Sequence, residues 1–267
     1  SVIMWSIGNE VLEGIGGDTS NYVTIAENII DWIQEEDLTR PVTIGDNKSK
    51  GWDSRAVAIS DAVANNGGIV GFNYANEDQF NSLRNSKANW ILYGAETSSA
   101  VHSRGYYKVR NHNDESRKDL QLPEFDNNSN KVGWGHSASD AWKYTIKHDY
   151  NAGEFVWTGF DYIGEPTPWN GTGTGSVSGG RPAPKSSFFG IVDTAGFEKD
   201  VYYLYQSQWN DDVNTLHVLP TWNKEDIPVQ NGNVQVDVFT DAYKVELYVN
   251  NKLVGTKTST EHTTAAG

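Results

Sequence analysis

Two glutamates stand directly behind short apolar runs: Glu10 closes "SVIMWSIGNE" and Glu96 closes "NWILYGAE". Asn9 precedes the first, and other strand-like runs end comparably, on Asp46-Asn47, on Asn73-Tyr74 and on Trp157 with Asp161. Two carboxylates facing each other across a cleft are the apparatus of glycoside hydrolysis, in which one protonates the leaving oxygen and the other attacks the anomeric carbon or activates water. Taken singly, either glutamate reads equally well as a capping or solvated carboxylate. The chemistry requires both, held by rigid elements on facing sides of one cleft.

The segments that would hold them alternate between strand and helix patterns, which predicts an α/β architecture with a parallel sheet. Val2 to Ile7 reads as a strand. Thr19 and Ser20 can cap a helix whose Tyr22, Ile25, Ile29, Ile30 and Ile33 recur at helical spacing and which ends before Pro41. Strands are expected at Val42 to Gly45, Ile69 to Tyr74, Trp90 to Ala95 and Glu154 to Phe160, with helices near Ser54 to Asn65, Gln79 to Arg84 and Ser139 to Tyr150. In a barrel of alternating strands and helices the active site is built from the carboxyl ends of the strands. At roughly 250 residues for eight such units, one unit takes about 30, so Glu10 and Glu96 lie about three units apart and face each other across the mouth.

His102 to His136 reads as irregular, and the Gly/Pro-rich segment Gly164 to Pro184 as a functional loop. A helix from about Lys199 to Gln208 completes the unit. From about Leu216 the period changes to two: Val234, Val236, Val238 and then Val245, Leu247, Val249 alternate with polar residues, with Asn250-Asn251 where a hairpin turn belongs. The expected division is therefore a barrel part over 1–215 and the beginning of a β domain over 216–267, broken off in mid-fold. The final "TSTEHTTAAG" reads as loosely held. A chain that begins with Ser and enters a strand at once reads as an internal piece of a longer protein.

Composition narrows the partners. Against 21 Lys and Arg stand 35 Asp and Glu, and the net charge of -14 disfavours nucleic acid or an anionic membrane and favours a neutral ligand. No apolar stretch is long enough to cross a bilayer. The absence of cysteine excludes disulfides and thiolate metal sites and leaves the compartment open. The chain has ten Trp, thirteen Tyr and nine Phe; most would build core, and some could pack on the C–H faces of a sugar. No cofactor and no metal site is expected from these residues.

"VIMWSIGNE" resembles the acid/base signature of family 2 glycoside hydrolases, the β-galactosidase and β-glucuronidase family, and "ILYGAETSS" resembles its nucleophile strand. "GEFVWTGFDYIGEPTPW" is similar to the eighth barrel strand and its loop, and "KSSFFGIVDTAGFEKDVYYLYQSQW" to the way these barrels finish. The resemblance runs over about residues 1 to 250 and is closest to large cell-surface β-galactosidases of Gram-positive bacteria. It implies strands four to eight of a (β/α)8 TIM barrel followed by the start of an immunoglobulin-like sandwich, and an extracellular or cell-surface location. It also implies Glu10 as proton donor, Glu96 as nucleophile, Asn9 on the sugar 2-hydroxyl, Tyr74 as a donor to Glu96, and Trp157 facing the sugar. Asp46 is implied at the 4- and 6-hydroxyls. Some members carry a His three residues after the nucleophile, where Ser99 stands here, with His102 near by; some bind Mg²⁺ through residues that would precede Ser1.

Retention needs carboxylates about 5 Å apart, with Glu10 protonated and Glu96 charged in the first step, and Trp5 is expected to help bury Glu10. Glucuronate enzymes of the family place an Asn-x-Lys after the eighth strand. None occurs between Asp161 and Gly190, where Arg181 and Lys185 are the cations, so a neutral β-galactoside is the expected substrate. The alternatives are another family 2 activity such as β-glucuronidase, or a non-catalytic fragment lacking the first three barrel units. Such a piece would have an unpaired parallel edge and be inactive unless the rest of the same protein or a complementing chain supplied the missing strands.

Overall fold

A computed structural model describes residues 2–13, 20–108, 123–126, 131–165, 186–223, 225 and 227–260. Thr19, most of the Gly/Pro-rich loop with Arg181 and Lys185, and the last seven residues lie outside that set. Two compact units make up the chain, one of residues 1–97 and 144–156, the other of 98–143 and 157–267.

The first unit is built on a sheet of five strands in sequential order: β1 (Trp5–Asn9), β2 (Val42–Asp46), β3 (Ile69–Asn73), β4 (Ile91–Ser98) and β5 (Asn151–Trp157). The pairs β1·β2, β2·β3 and β3·β4 are parallel, as the alternation of segments predicts. Helices α1 (Tyr22–Glu36), α2 (Ser54–Asn65) and α3 (Glu77–Ser86) follow the first three strands. Each helix starts where its sequence supplies a reason. Asp53 accepts from the amides of Arg55 and Ala56 at the head of α2, and Asn76 with Gln79 forms a reciprocal capping box on α3. The head of α1 differs from expectation: Asn21 occupies the cap position and makes no side-chain cap bond.

Ala26, Ile30, Val42, Ile44, Val63, Val70, Phe72, Phe80, Leu83, Trp90 and Leu92 form the core between sheet and helices. Phe72 stacks on Trp90 and meets Phe80 edge-on. On α1 the buried stripe is Tyr22, Ala26, Ile30 and Ile33, while Ile25 and Trp32 face outward. A stripe of three or four positions suffices for a helix packed on one face.

The second unit contains His102, Pro123 to Asp126 and residues 131–136 as irregular chain, then α5 (Asp200–Trp209) and six short strands. The strands pair as β6 (Leu216–Leu219) with β9 (Asp237–Thr240), β7 (Val229–Gln230) with β8 (Asn233–Val234), and β10 (Lys244–Val249) with β11 (Lys252–Thr258). The last pair turns at Asn250-Asn251, both with positive φ, which is the hairpin read from sequence. The helix α4 (Ala138–Ile146) crosses from this unit into the first.

Candidate active site

The carboxyl ends of β1 to β4 carry the candidate residues, and irregularities in the sheet aim them. Register slips between Ser6 and Asn9 on β1, and again where Asn73 of β3 comes opposite Glu96 of β4. A bulge turns the strand locally, which is a common device beside active sites. Glu10 and Tyr74 then take left-handed backbone conformations, φ 47° and 57°. For residues with a Cβ such conformations cost about 1–3 kcal/mol each and persist where the surroundings hold them. Here the Glu10 amide donates to the Gly45 carbonyl at 2.8 Å, and the Tyr74 amide to the Glu96 carbonyl at 2.7 Å.

The side chains form one connected network. Tyr74 Oη donates to Glu96 Oε2 at 2.7 Å. The Asn73 amide nitrogen lies 3.0 Å from Asn9 Oδ1 and 2.8 Å from Glu10 Oε1 and donates to both. Gly45 makes room for this crossing: a Cβ there would stand 2.5 Å from Asn9 Oδ1 and 3.3 Å from Asn73 Oδ1. Asn9, Glu10, Asn73, Tyr74 and Glu96 are thus brought together, although they come from three strands and the residues just after them.

Burial pushes the Glu96 carboxyl above its ordinary range; the Tyr74 hydroxyl opposes that, the Glu10 charge adds to it, and the Asn9 and Asn73 amides again favour the charged form. Tyr74 therefore acts in the expected direction, and burial outweighs it. Trp5 does not bury Glu10 as expected: it is 39% exposed and its indole donates to Asp37 at 2.9 Å. Asp46 is buried, and its two oxygens accept the backbone amides of Lys48 and Ser49 at 3.1 and 2.6 Å. Those bonds fasten the short 3-10 turn Ser49–Gly51, which carries Lys50.

Trp157 belongs to the second unit, where its ring meets Tyr162 edge-on at 5.8 Å and packs with Val101, Val132 and Phe189. His102 is buried in the same unit, its Nδ1 3.0 Å from the Pro123 carbonyl. Burial holds its pKa down to about 4, so the ring is neutral and orders the loop. Among the described residues no group of three or more His, Asp or Glu could hold a metal ion, and no helix is long and apolar enough to cross a membrane.

Lys50 was missed by the sequence reading, and Asn73, named there as a strand end, was given no role. Asn73 sits at a strand end beside Tyr74 and shares the signal that found Tyr74. Lys50 lies in "DNKSKG", where nothing periodic distinguishes it from Lys48.

Residues 1–115 match the family model for glycosyl hydrolases family 2, TIM barrel domain, and this stretch carries the first four strands of the sheet. Over 96% of its length the chain is 34% identical to a β-galactosidase of Bacteroides ovatus, covering 32% of that protein. It is also 27% identical to a protein of Formosa agariphila named for β-glucuronidase activity, again over 96% of this chain, covering 24% of that protein. The chain therefore spans about a third or less of these curated relatives. Among solved structures it superposes on a β-glycosidase from Bacteroides vulgatus with a TM-score of 0.68 at 24% identity, over 97% of this chain and 32% of the other. A Bacteroides uniformis β-glucuronidase superposes with 0.62 at 19% identity, over 96% of this chain and 30% of the other. At those identities the structural likeness concerns the fold.

Proposed function

We propose that this chain is the catalytic part of a family 2 glycoside hydrolase, a retaining β-galactosidase that removes terminal non-reducing β-D-galactosyl groups by double displacement. The observation that carries the reading is the pairing of two carboxylates at strand ends, Glu96 held by the Tyr74 hydroxyl and Glu10 by the Asn73 amide. A Glu96 oxygen attacks the anomeric carbon as the bond to the aglycone oxygen breaks, and that oxygen takes the proton of Glu10. In the second step Glu10 removes a proton from water as the water oxygen attacks the same carbon and frees Glu96. Asn9 bonds the 2-hydroxyl, a contact that strengthens as positive charge develops at the anomeric carbon. Asp46 holds the turn beside the site.

The five strands correspond on this reading to the fourth through eighth of the barrel, residues 216–267 to the beginning of an immunoglobulin-like sandwich, and the remaining strands to further sequence of the same protein or a complementing chain. The 34% identity to the Bacteroides ovatus β-galactosidase favours galactose. β-Glucuronidase is the second reading, favoured by the Formosa agariphila relative. Hydrolysis of aryl β-galactoside against aryl β-glucuronide by the complete protein separates them. At least a tenfold higher kcat/KM on the galactoside is expected, and faster glucuronide turnover would overturn the choice of sugar.

Tyr74→Phe removes a hydrogen bond to a carboxylate, worth about 1.5–3 kcal/mol, so kcat should fall roughly 10- to 100-fold. Because that bond lowers the Glu96 pKa, its loss raises it further. The acidic limb of the kcat/KM profile should move to higher pH, and an unmoved limb would show that Glu96 does not set it.

A further inference from the structure

Lys50 is a cation at the strand ends that the roles above leave unused. Its turn is fastened by Asp46, its Nζ donates to the backbone carbonyl of Asn73, and it lies 5.9 Å from the centre of the Tyr74 ring. Asn73 is fully buried, and its side-chain oxygen has no hydrogen-bond partner. Nothing on that oxygen helps to orient the amide. The amide is held by the grip of the ammonium on the peptide at one end and, at the other, by Asn9 and Glu10, with Glu96 also within its reach.

We propose that Lys50 is a positioning residue of this site: by holding the Asn73 peptide beside Glu10 it sets the direction of the Asn73 amide, and through that amide the aim of Asn9 at the sugar 2-hydroxyl. The inference rests on the roles of Asn9, Glu10 and Glu96 proposed above. The groups facing the ammonium are Glu10 after β1, Asp46 at the end of β2, Lys48 in the same loop and the Tyr74 ring after β3. Burial brings the Lys50 pKa down to about 8; the Glu10 and Asp46 charges oppose the shift and Lys48 adds to it. Below about pH 8 the amine is charged and grips strongly. Above it the neutral amine is a weaker donor, and the hold on Asn73 relaxes.

The test compares Lys50→Arg and Lys50→Met with the complete protein, on a dinitrophenyl β-galactoside and its 2-deoxy counterpart. That leaving group departs without a proton, so kcat/KM does not depend on Glu10 as acid. On the 2-hydroxy substrate the unaltered enzyme should lose kcat/KM above about pH 8. Lys50→Arg, whose guanidinium stays charged, should keep it to about pH 10, and Lys50→Met should be about tenfold lower at pH 6.5. On the 2-deoxy substrate the Met penalty should disappear.

Three results would overturn the proposal: a Met variant equal to the unaltered enzyme on both substrates, an equal loss on both, or an Arg variant with an unchanged alkaline limb. If Lys50→Met folds poorly, the limb of Lys50→Arg still decides. Glu96→Gln in the same assay keeps the two readings apart. Full activity there defeats the catalytic assignment itself, whereas its inactivation beside an indifferent Lys50→Met defeats only the role of Lys50.

Discussion

Glu96→Gln in the complete protein is expected to lower kcat on an aryl β-galactoside by on the order of 10⁴-fold or more, equivalent to roughly 5.5 kcal/mol of transition-state stabilisation. The amide keeps the shape of the carboxylate and can still meet the Tyr74 hydroxyl, which donates to Glu96 at 2.7 Å. What it lacks is the charge and the nucleophilic oxygen. A loss of that size with unchanged thermal stability therefore reports chemistry and not folding.

The two glutamates can then be told apart by what azide does. With Glu96→Gly, azide enters from the face the carboxylate occupied, displaces the leaving group once, and gives the α-galactosyl azide. With Glu10→Gly and a leaving group that needs no proton, Glu96 still forms the galactosyl-enzyme. Azide then takes the place of water in the second displacement, and two inversions give the β-azide. The same anomer from both variants, or a Glu96→Gln enzyme within tenfold of the unaltered one, would refute the assignment.

The legible part of this site was its strand ends. Apolar runs of four to six residues closing on polar ones placed Asn9, Glu10, Tyr74 and Glu96 at the carboxyl ends of strands, and α2 was found at both ends. Boundaries drifted where burial and pattern part company. β1 begins at Trp5 and not at Val2, because the pairing with β2 begins at Trp5 opposite Val42. β4 runs on to Ser98 because Thr97 and Ser98, polar by type, are buried.

The bulges behind Glu10 and Glu96 were not legible at all. An extra residue in one strand leaves the alternation of side chains on either side intact, and only the pairing shows the slip. On α1, too many apolar residues were assigned to one face. Ile25 was read with Tyr22, Ile29, Ile30 and Ile33 as one stripe, but it lies off the line through Ala26 and Ile30 and is exposed. Lys50 and Asn73 gain their significance from contacts across strands, which no local window contains.

Glu154 shows most clearly what the sequence hides, for it reads as the first residue of a strand and stands instead inside β5. Thr145 donates to its Oε2 at 3.2 Å, and its Oε1 is enclosed, as is the nearby Thr97 hydroxyl. Burial pushes its pKa up from 4.5 to about 7, with Thr97 and Thr145 pulling in the opposite direction. A carboxyl whose folded pKa exceeds its unfolded one binds more protons in the folded state between those two values. Its contribution to stability is therefore greatest below about pH 4.5, falls as the pH rises to about 7, and is level beyond.

The change across that window amounts to as much as about 3 kcal/mol. Glu154→Gln keeps the size and the polar atoms and has no proton to lose. The stability of the variant relative to the unaltered protein should thus rise by about 3 kcal/mol between pH 4.5 and pH 8, measured by urea unfolding at both. Every other titrating group, the raised Glu96 and Glu124 among them, is common to both proteins and cancels in the difference. A gap that stays constant with pH would mean that water reaches the Glu154 carboxylate in the folded protein. Because Thr97 directly follows Glu96, it would also mean that this face of β4 is wet.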